Sequence, residues 1–528
     1  MTTEKTRGQI VAADVSALLR ARNPLIWIVT REEARVEALL IEAAAAAGYV
    51  PRTWDVAQGF TDLAGKQVNE LRGSEDPAAA LTMIGDRSKN VKERGVWIMR
   101  DLAPWLDGAV GFTTVRMLRN LARSLPGAAR DQAQAMIVIS PKADMPAELA
   151  GHATVIDWPM PDRAEIAAIL DAAIESLPDD LRENAAPNGQ RDAAIDAAVG
   201  LSGEEAQACY ARSLVQLRKI DPTLVASEKK RVVSRERVLE WYDPIKGGLD
   251  AVGGLDNLKA WLDVRKSAYS PAARAYGLPA PKGAMLVGVP GCGKSLTAKA
   301  IATAWGVPLL KVDLGALKSK FVGDSEANLR KVFKLVEAIG RCVVWFDEVE
   351  KALQGATSGS ADGGVSSDAL GAVLGWMQER QGEAFVIATA NDVSSLPPEL
   401  LRKGRFDEVW FVDLPTTSER AAVLSAALRE HGRGDVAVNA AAVAKATEGF
   451  TGSEIAAIVP DALFAAFNDG AREITTKDLT DAAVTVVPLS KTAAEKITKL
   501  REWAAGRARA ASAAEITTEA RKVRALDL

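Results

Sequence analysis

The stretch "AMLVGVPGCGKSLTAKAIATAWG" (284–306) constrains the fold more than any other part of the chain. From Gly288 to Ser295 it fits the pattern G-x-x-x-x-G-K-[ST]. Small residues let several backbone N–H groups converge on one phosphate, a lysine reaches the outer phosphates, and a hydroxyl is offered to Mg²⁺. Gly288, Pro290, Gly291, Cys292, Gly293, Lys294, Ser295 and Leu296 are therefore the candidate phosphate contacts, with Ser295 also a candidate metal ligand. An apolar strand precedes the loop and an Ala-rich helix follows it. That helix aims its N-terminus at the same anion.

The next landmark is "CVVWFDEVEK", an apolar strand ending in Asp347-Glu348. Paired carboxylates there suit metal-assisted phosphoanhydride hydrolysis: Asp347 would hold the Mg²⁺ shell and Glu348 would polarise the attacking water. A third strand, "AFVIATAND", ends in Asn391, whose neutral amide can bond a phosphate or water without adding negative charge. Arg402 and Arg405 follow in "LLRKGRFD", spaced i, i+3. Guanidinium groups stabilise charge on a transferring phosphoryl, often from a neighbouring subunit.

These segments, with "GFTGSEIAAIV", resemble the AAA family of ATPases, in the branch of FtsH and cell division control protein 48, over roughly 246–488. The resemblance implies an α/β P-loop large subdomain, a parallel sheet flanked by helices, carrying a helical lid. It also implies ATP and Mg²⁺ as ligands and a homo-oligomeric ring, usually a hexamer, in which both arginines act on the next subunit's ATP. The family's adenine contacts map onto Val252-Gly253 and Gly452-Ser453. Its first pore loop maps onto Phe321-Val322-Gly323, where an exposed aromatic would grip a protein substrate, and the Gly/Ser run 355–367 falls where a mobile second pore loop would be. Two positions depart from the pattern. Ala427 stands where family members often carry an adenine-proximal histidine, and Cys292 stands in the loop where threonine is usual. A thiol at a helix N-terminus can have a lowered pKa, so oxidation or alkylation of Cys292 is expected to block ATP binding.

The first half repeats these landmarks in order. "PLIWIVT" parallels "AMLVGV"; "RGVWIMRDL" (94–102) parallels "RCVVWFDEV"; "AMIVISPKADMPAEL" (135–149) parallels "FVIATANDVSSLPPEL". "WPMPDRAEIAAIL" parallels "VDLPTTSERAAVL", and "GLSGEEAQACYARSL" parallels "GFTGSEIAAIVPDAL", each with a serine, Ser202 or Ser453, near an N-cap. The chemistry is missing. The turn after the first strand reads Thr-Arg-Glu-Glu, Arg100-Asp101 replaces the two acids, and Pro141-Lys142 stands at the amide position. Residues 1–220 read as a degenerate AAA-like α/β domain, or alternatively as an unrelated α/β substrate adaptor. A connector (221–245), solvated around its Lys/Arg-rich run, leads to the large subdomain (246–414), the lid (415–488) and a C-terminal helix and tail (489–528) that could pack on a neighbouring protomer. The whole layout is also similar to a family of AAA proteins known from cyanobacterial and chloroplast genomes, with bacterial relatives.

Composition adds exclusions. With 48% hydrophobic and 25% charged residues the 528-residue chain is globular in balance. A net charge of −4 argues against a nucleic-acid partner. No apolar run approaches the roughly 20 residues of a membrane span. The three cysteines lack framework spacing, so a cytoplasmic setting is expected. Beside a remodelling machine, the alternative function is a nucleotide-gated scaffold or regulator whose first domain docks a partner.

Overall fold

Strand β1 (Leu25–Val29) turns Leu25 and Trp27 into one apolar cluster and Ile26 and Ile28 into another, all four fully buried. A strand covered on both faces needs no polar alternation, and such strands belong to parallel sheets with helices on each side. The computed structural model describes residues 5–143, 145–185, 190–234, 238–314, 325–352, 363–380, 382–402 and 404–513, and these divide into two compact units, split between Lys229 and Lys230. Phe321, Val322 and Gly323 lie outside the described residues, as does most of the 355–367 run. The remainder of that run begins the helix Gly363–Glu379. Among the described residues no helix is long and apolar enough to cross a membrane.

In the first unit, β1 is joined by β2 (Val50–Asp55), β3 (Gly59–Thr61), β4 (Gly95–Arg100), β5 (Gln134–Ser140) and β6 (Thr154–Asp157), in the order β3-β2-β4-β5-β1-β6. All neighbours are parallel except β2 and β3. The second unit holds β7 (Leu239–Tyr242), β8 (Gly283–Gly288), β9 (Leu309–Val312), β10 (Val343–Phe346), β11 (Phe385–Ala390), β12 (Glu408–Val412) and β13 (Arg509–Ala510). Their order is β13-β12-β8-β11-β10-β9-β7, antiparallel only between β7 and β9. Reading β2-β4-β5-β1-β6 against β9-β10-β11-β8-β12 gives one connectivity twice, so the first unit is an AAA-like domain and not an unrelated fold.

The lid helices match as well. Arg163–Glu175 and Thr417–Glu430 each open with a capping box, Asp162 with Glu165 and Thr416 with Glu419. Gly203–Leu217 and Gly452–Asn468 do the same, with Ser202 and Thr451 as caps. The cap of the second lid helix is thus Thr451, and Ser453 lies inside the first turn.

Two stretches gain detail beyond the sequence reading. The connector is solvated only in part: Pro222–Val233 is helical, Lys229 is 4% exposed with its ammonium on the Val199 carbonyl, and Val233 and Leu239 sit in the core, whereas Arg231 is exposed and Arg235 and Arg237 lie outside the described residues. Strand β7 then completes the sheet edge beside β9. The C-terminal helix Ala494–Ala504 turns its apolar face onto its own chain, burying Ile497 and Leu500, and Arg501 forms a bidentate pair with Asp413 at 2.8 and 3.0 Å.

Candidate nucleotide site

Parallel strands of this order converge at the carboxyl ends of β8, β10 and β11, and there the loops of the second unit enclose a cleft of about 1100 Å³. Gly288 ends β8 against β12, where a Cβ would collide with the Val412 carbonyl. Gly291 (φ 75) and Gly293 (φ 87) take left-handed backbone that L side chains rarely adopt, which lets the loop wrap before the helix Lys294–Trp305 begins. Lys294 is 5% exposed, and its Nζ donates to the Gly288 and Val289 carbonyls at 2.9 and 2.7 Å. Burial pushes its pKa down to about 8.

Below the loop the carboxylates, hydroxyls and amide form one network. Ser295 Oγ donates to Asp347 Oδ1 at 3.1 Å, and Thr389 Oγ1 donates to the same oxygen at 2.8 Å. Lys311 faces the other Asp347 oxygen at 3.5 Å. Asn391 Nδ2 holds Glu348 Oε1 at 2.9 Å, and Lys351 holds Oε2 at 2.7 Å. Glu348 itself has φ 48, a costly conformation for a residue with a Cβ. Its N–H is satisfied by Thr389 Oγ1 at 3.0 Å. Glu350, 2% exposed, accepts from the Asn391 N–H at 2.9 Å, and burial holds its carboxyl above the usual carboxylate range.

The opposite wall is made by lid and linker. Val252 and Gly253 line the cleft together with Val423 and Ala427 of the helix Thr417–Glu430. Glu419 closes its own capping box through Oε2 and receives the Leu255 N–H on Oε1 at 2.9 Å, tying the linker to the lid. Gly452 and Ser453 meet the phosphate loop directly: the Ser453 N–H and hydroxyl both donate to the Gly291 carbonyl, at 2.8 and 3.1 Å. Leu296 lines the cleft, as do Pro290, Gly291, Cys292, Gly293, Lys294 and Ser295.

Some residues named from sequence stay apart. Neither Arg402 nor Arg405 lines the cleft; Arg405 is held by the Glu399 carbonyl. The expectation for Cys292 reverses. Its thiol is 9% exposed and burial pushes its pKa up to about 12, so desolvation outweighs the helix terminus and the thiol stays protonated. Thr389, Glu350 and Glu419 escaped the sequence reading. The signal for Thr389 was available: a hydroxyl in an otherwise apolar strand, two residues before Asn391.

The first unit is built differently at the corresponding place. Val29 and Val287 hold the same register, each paired with the last residue of its neighbour, Ser140 and Ala390. The helix then starts at Glu33, four residues on, whereas in the second unit it starts at Lys294, seven residues on. The loop is three residues shorter, so it cannot wrap an anion. In its place Glu32, 5% exposed, accepts the Gly203 N–H of the lid helix at 2.5 Å. Arg35 clamps Glu32 at 2.6 Å and Glu165 at 3.0 Å. Where Asp347 stands in the second unit, Arg100 pairs with Glu37 at 2.6 Å. Asp101, opposite Glu348 in the alignment, keeps φ 47.

A phosphate loop over an acid-ended strand, closed by a helical lid, defines an AAA module. Family models agree: ATPase family associated with various cellular activities (AAA) matches 284–414 and AAA+ lid domain matches 437–481. The models for the SpoVK-like AAA ATPase N-terminal domain and second domain match 11–158 and 164–236. The uncharacterized AAA domain-containing protein ycf46 of Guillardia theta is 36% identical over 506 residues, 94% of this chain and 96% of that one. Its namesake in Pyropia yezoensis is 34% identical over 505 residues, 94% and 99% of the two chains. The chain belongs to this family of AAA ATPases. A shorter likeness, 35% over 234 residues, is to the ATP-dependent zinc metalloprotease FtsH of Acidothermus cellulolyticus, covering 43% of this chain and 35% of that one.

Proposed function

We propose that the second unit binds and hydrolyses Mg²⁺-ATP, and that the chain works as a hexameric ring that remodels or translocates protein substrates. The observation that carries this reading is the Asn391–Glu348 contact at 2.9 Å, directly below a loop with a buried lysine. The Ser295 hydroxyl and Asp347 carboxylate are hard oxygen donors 3.1 Å apart, a set that fits Mg²⁺. The ion, when bound, neutralises charge on the phosphoryl oxygens. Lys294 exchanges its carbonyl partners for phosphate. Glu348, oriented through Oε1 by Asn391, polarises the attacking water, and the Asn391 amide follows the γ-phosphate. Val252, Gly253, Gly452 and Ser453 enclose the adenine. Arg402 and Arg405, neither of which lines its own cleft, serve the adjoining subunit. Three buried free cysteines support a reducing, cytoplasmic setting.

Glu348→Gln is expected to keep ATP affinity, lose turnover by about 10²-fold or more, and accumulate as an oligomer in light scattering. Hydrolysis at the wild-type rate would remove the reading. Phe321→Ala is expected to keep ATPase activity and lose work on protein substrates.

A second reading, a nucleotide-gated scaffold without threading, is favoured by the Glu32–Gly203 contact, which takes the place of a phosphate loop in the first unit and leaves that unit to dock a partner. It requires slow turnover and indifference to Phe321→Ala.

A further inference from the structure

After the helix Ala494–Ala504 the chain returns to the nucleotide cleft, and no motif gives that return a task. Arg509 and Ala510 form β13, parallel to β12 on the side away from β8. Two residues of strand contribute few ladder bonds and are marginal alone. Other anchors supplement them. The Ala511 N–H donates to the Phe411 carbonyl at 2.9 Å, and the Ala511 carbonyl accepts the Leu258 N–H at 3.1 Å. Asn257 Nδ2 bonds the Ala510 carbonyl at 3.2 Å and the Ser512 carbonyl at 2.8 Å. Arg509 lies 4.7 Å over Trp410 and pairs with Glu408 at 2.9 Å.

The place matters as much as the anchoring. Ala511 is fully buried in one cluster with Val252, Leu255 and Leu258, so the linker carrying the adenine candidates packs on the returning chain. Ser512 lines the cleft itself, as does Asp413, the partner of Arg501.

We propose that the segment Arg509–Ser512 is part of the nucleotide site: Ser512 walls its base end, Asn257 positions it, and nucleotide binding and docking of this segment stabilise one another. The proposal rests on the reading of the cleft as an ATP site. The phosphates engage the loop at Gly288–Ser295, on the other side of β12, so the effect of the segment falls on base and ribose and leaves phosphate binding alone. Coupling of this kind is reciprocal. Weakening the segment weakens nucleotide binding, and nucleotide shields the segment.

The test uses the full chain and two ligands, ADP and inorganic tripolyphosphate, each with Mg²⁺, in calorimetric titrations. Asn257→Ala removes two anchoring bonds and is expected to weaken ADP by about tenfold while leaving tripolyphosphate within a factor of two. In the wild type, saturating ADP is expected to slow tryptic cleavage after Arg507 and Arg509 severalfold, a readout independent of how the variant folds. Unchanged ADP affinity in Asn257→Ala would overturn the proposal. So would cleavage at those arginines that ignores ADP, or equal loss of both ligands, which marks damage to the fold. A wild-type chain that binds neither ligand would overturn the ATP reading and this proposal with it.

Discussion

Lys294 shows what burial does to a phosphate-binding cation. Its ammonium has two carbonyls for company and a pKa near 8, well below the ordinary lysine value. Binding an anion needs the charged form, so affinity is intact below pH 8 and declines above it. ADP is expected to bind about tenfold more weakly at pH 9 than at pH 7, measured by calorimetry in buffers of equal ionic strength. A flat profile would place the lysine pKa above that range. Cys292 gives the complementary case. With its thiol protonated at neutral pH, alkylation by iodoacetamide at pH 7.5 should leave ADP binding unchanged over hours. Motif residues were legible because phosphate chemistry dictates their type and spacing. The pKa values were not, because they depend on how deeply each group is covered. Thr389 illustrates the gap between identity and placement: it is plain in "IATAND", but its bridging of Asp347 and the strained Glu348 backbone exists only in three dimensions.

At the level of elements, both units use the glutamate of a capping box to bind lid to sheet domain. Glu419 takes the Leu255 N–H; Glu165 takes the Arg35 guanidinium. Capping boxes were legible as local patterns, whereas their second partners, 164 and 130 residues away in sequence, were not. Arg35→Ala would leave Glu32 and Glu165 without their shared partner beneath the lid helix Gly203–Leu217. Its amides are expected to exchange with solvent more readily by about 2 kcal/mol, read by hydrogen-exchange mass spectrometry. Unaltered protection would show that the Glu32–Gly203 bond suffices. Strand β13 had no sequence signal at all: two residues in an Ala/Arg-rich stretch pair with β12 only because the preceding helix delivers them there.

At the level of the whole molecule, connectivity was the most legible property, since five parallel landmarks in one order leave little freedom for the sheet. The arginines make the corresponding functional point. If Arg405 serves the adjoining subunit, Arg405→Ala chains and Lys294→Ala chains are each inactive alone. Mixed, some sites would combine an intact loop with an intact arginine, and ATPase activity is expected to return to a quarter or so of wild type; no recovery would place the arginine in its own site. The turn between Val29 and Glu33, three residues shorter than its counterpart, has a different consequence. Substitution alone can recreate glycines, a lysine or a pair of acids, but it cannot lengthen a turn. Restoring phosphate binding to the first unit would therefore take an insertion as well as substitutions, so no point variant there is expected to gain a nucleotide site.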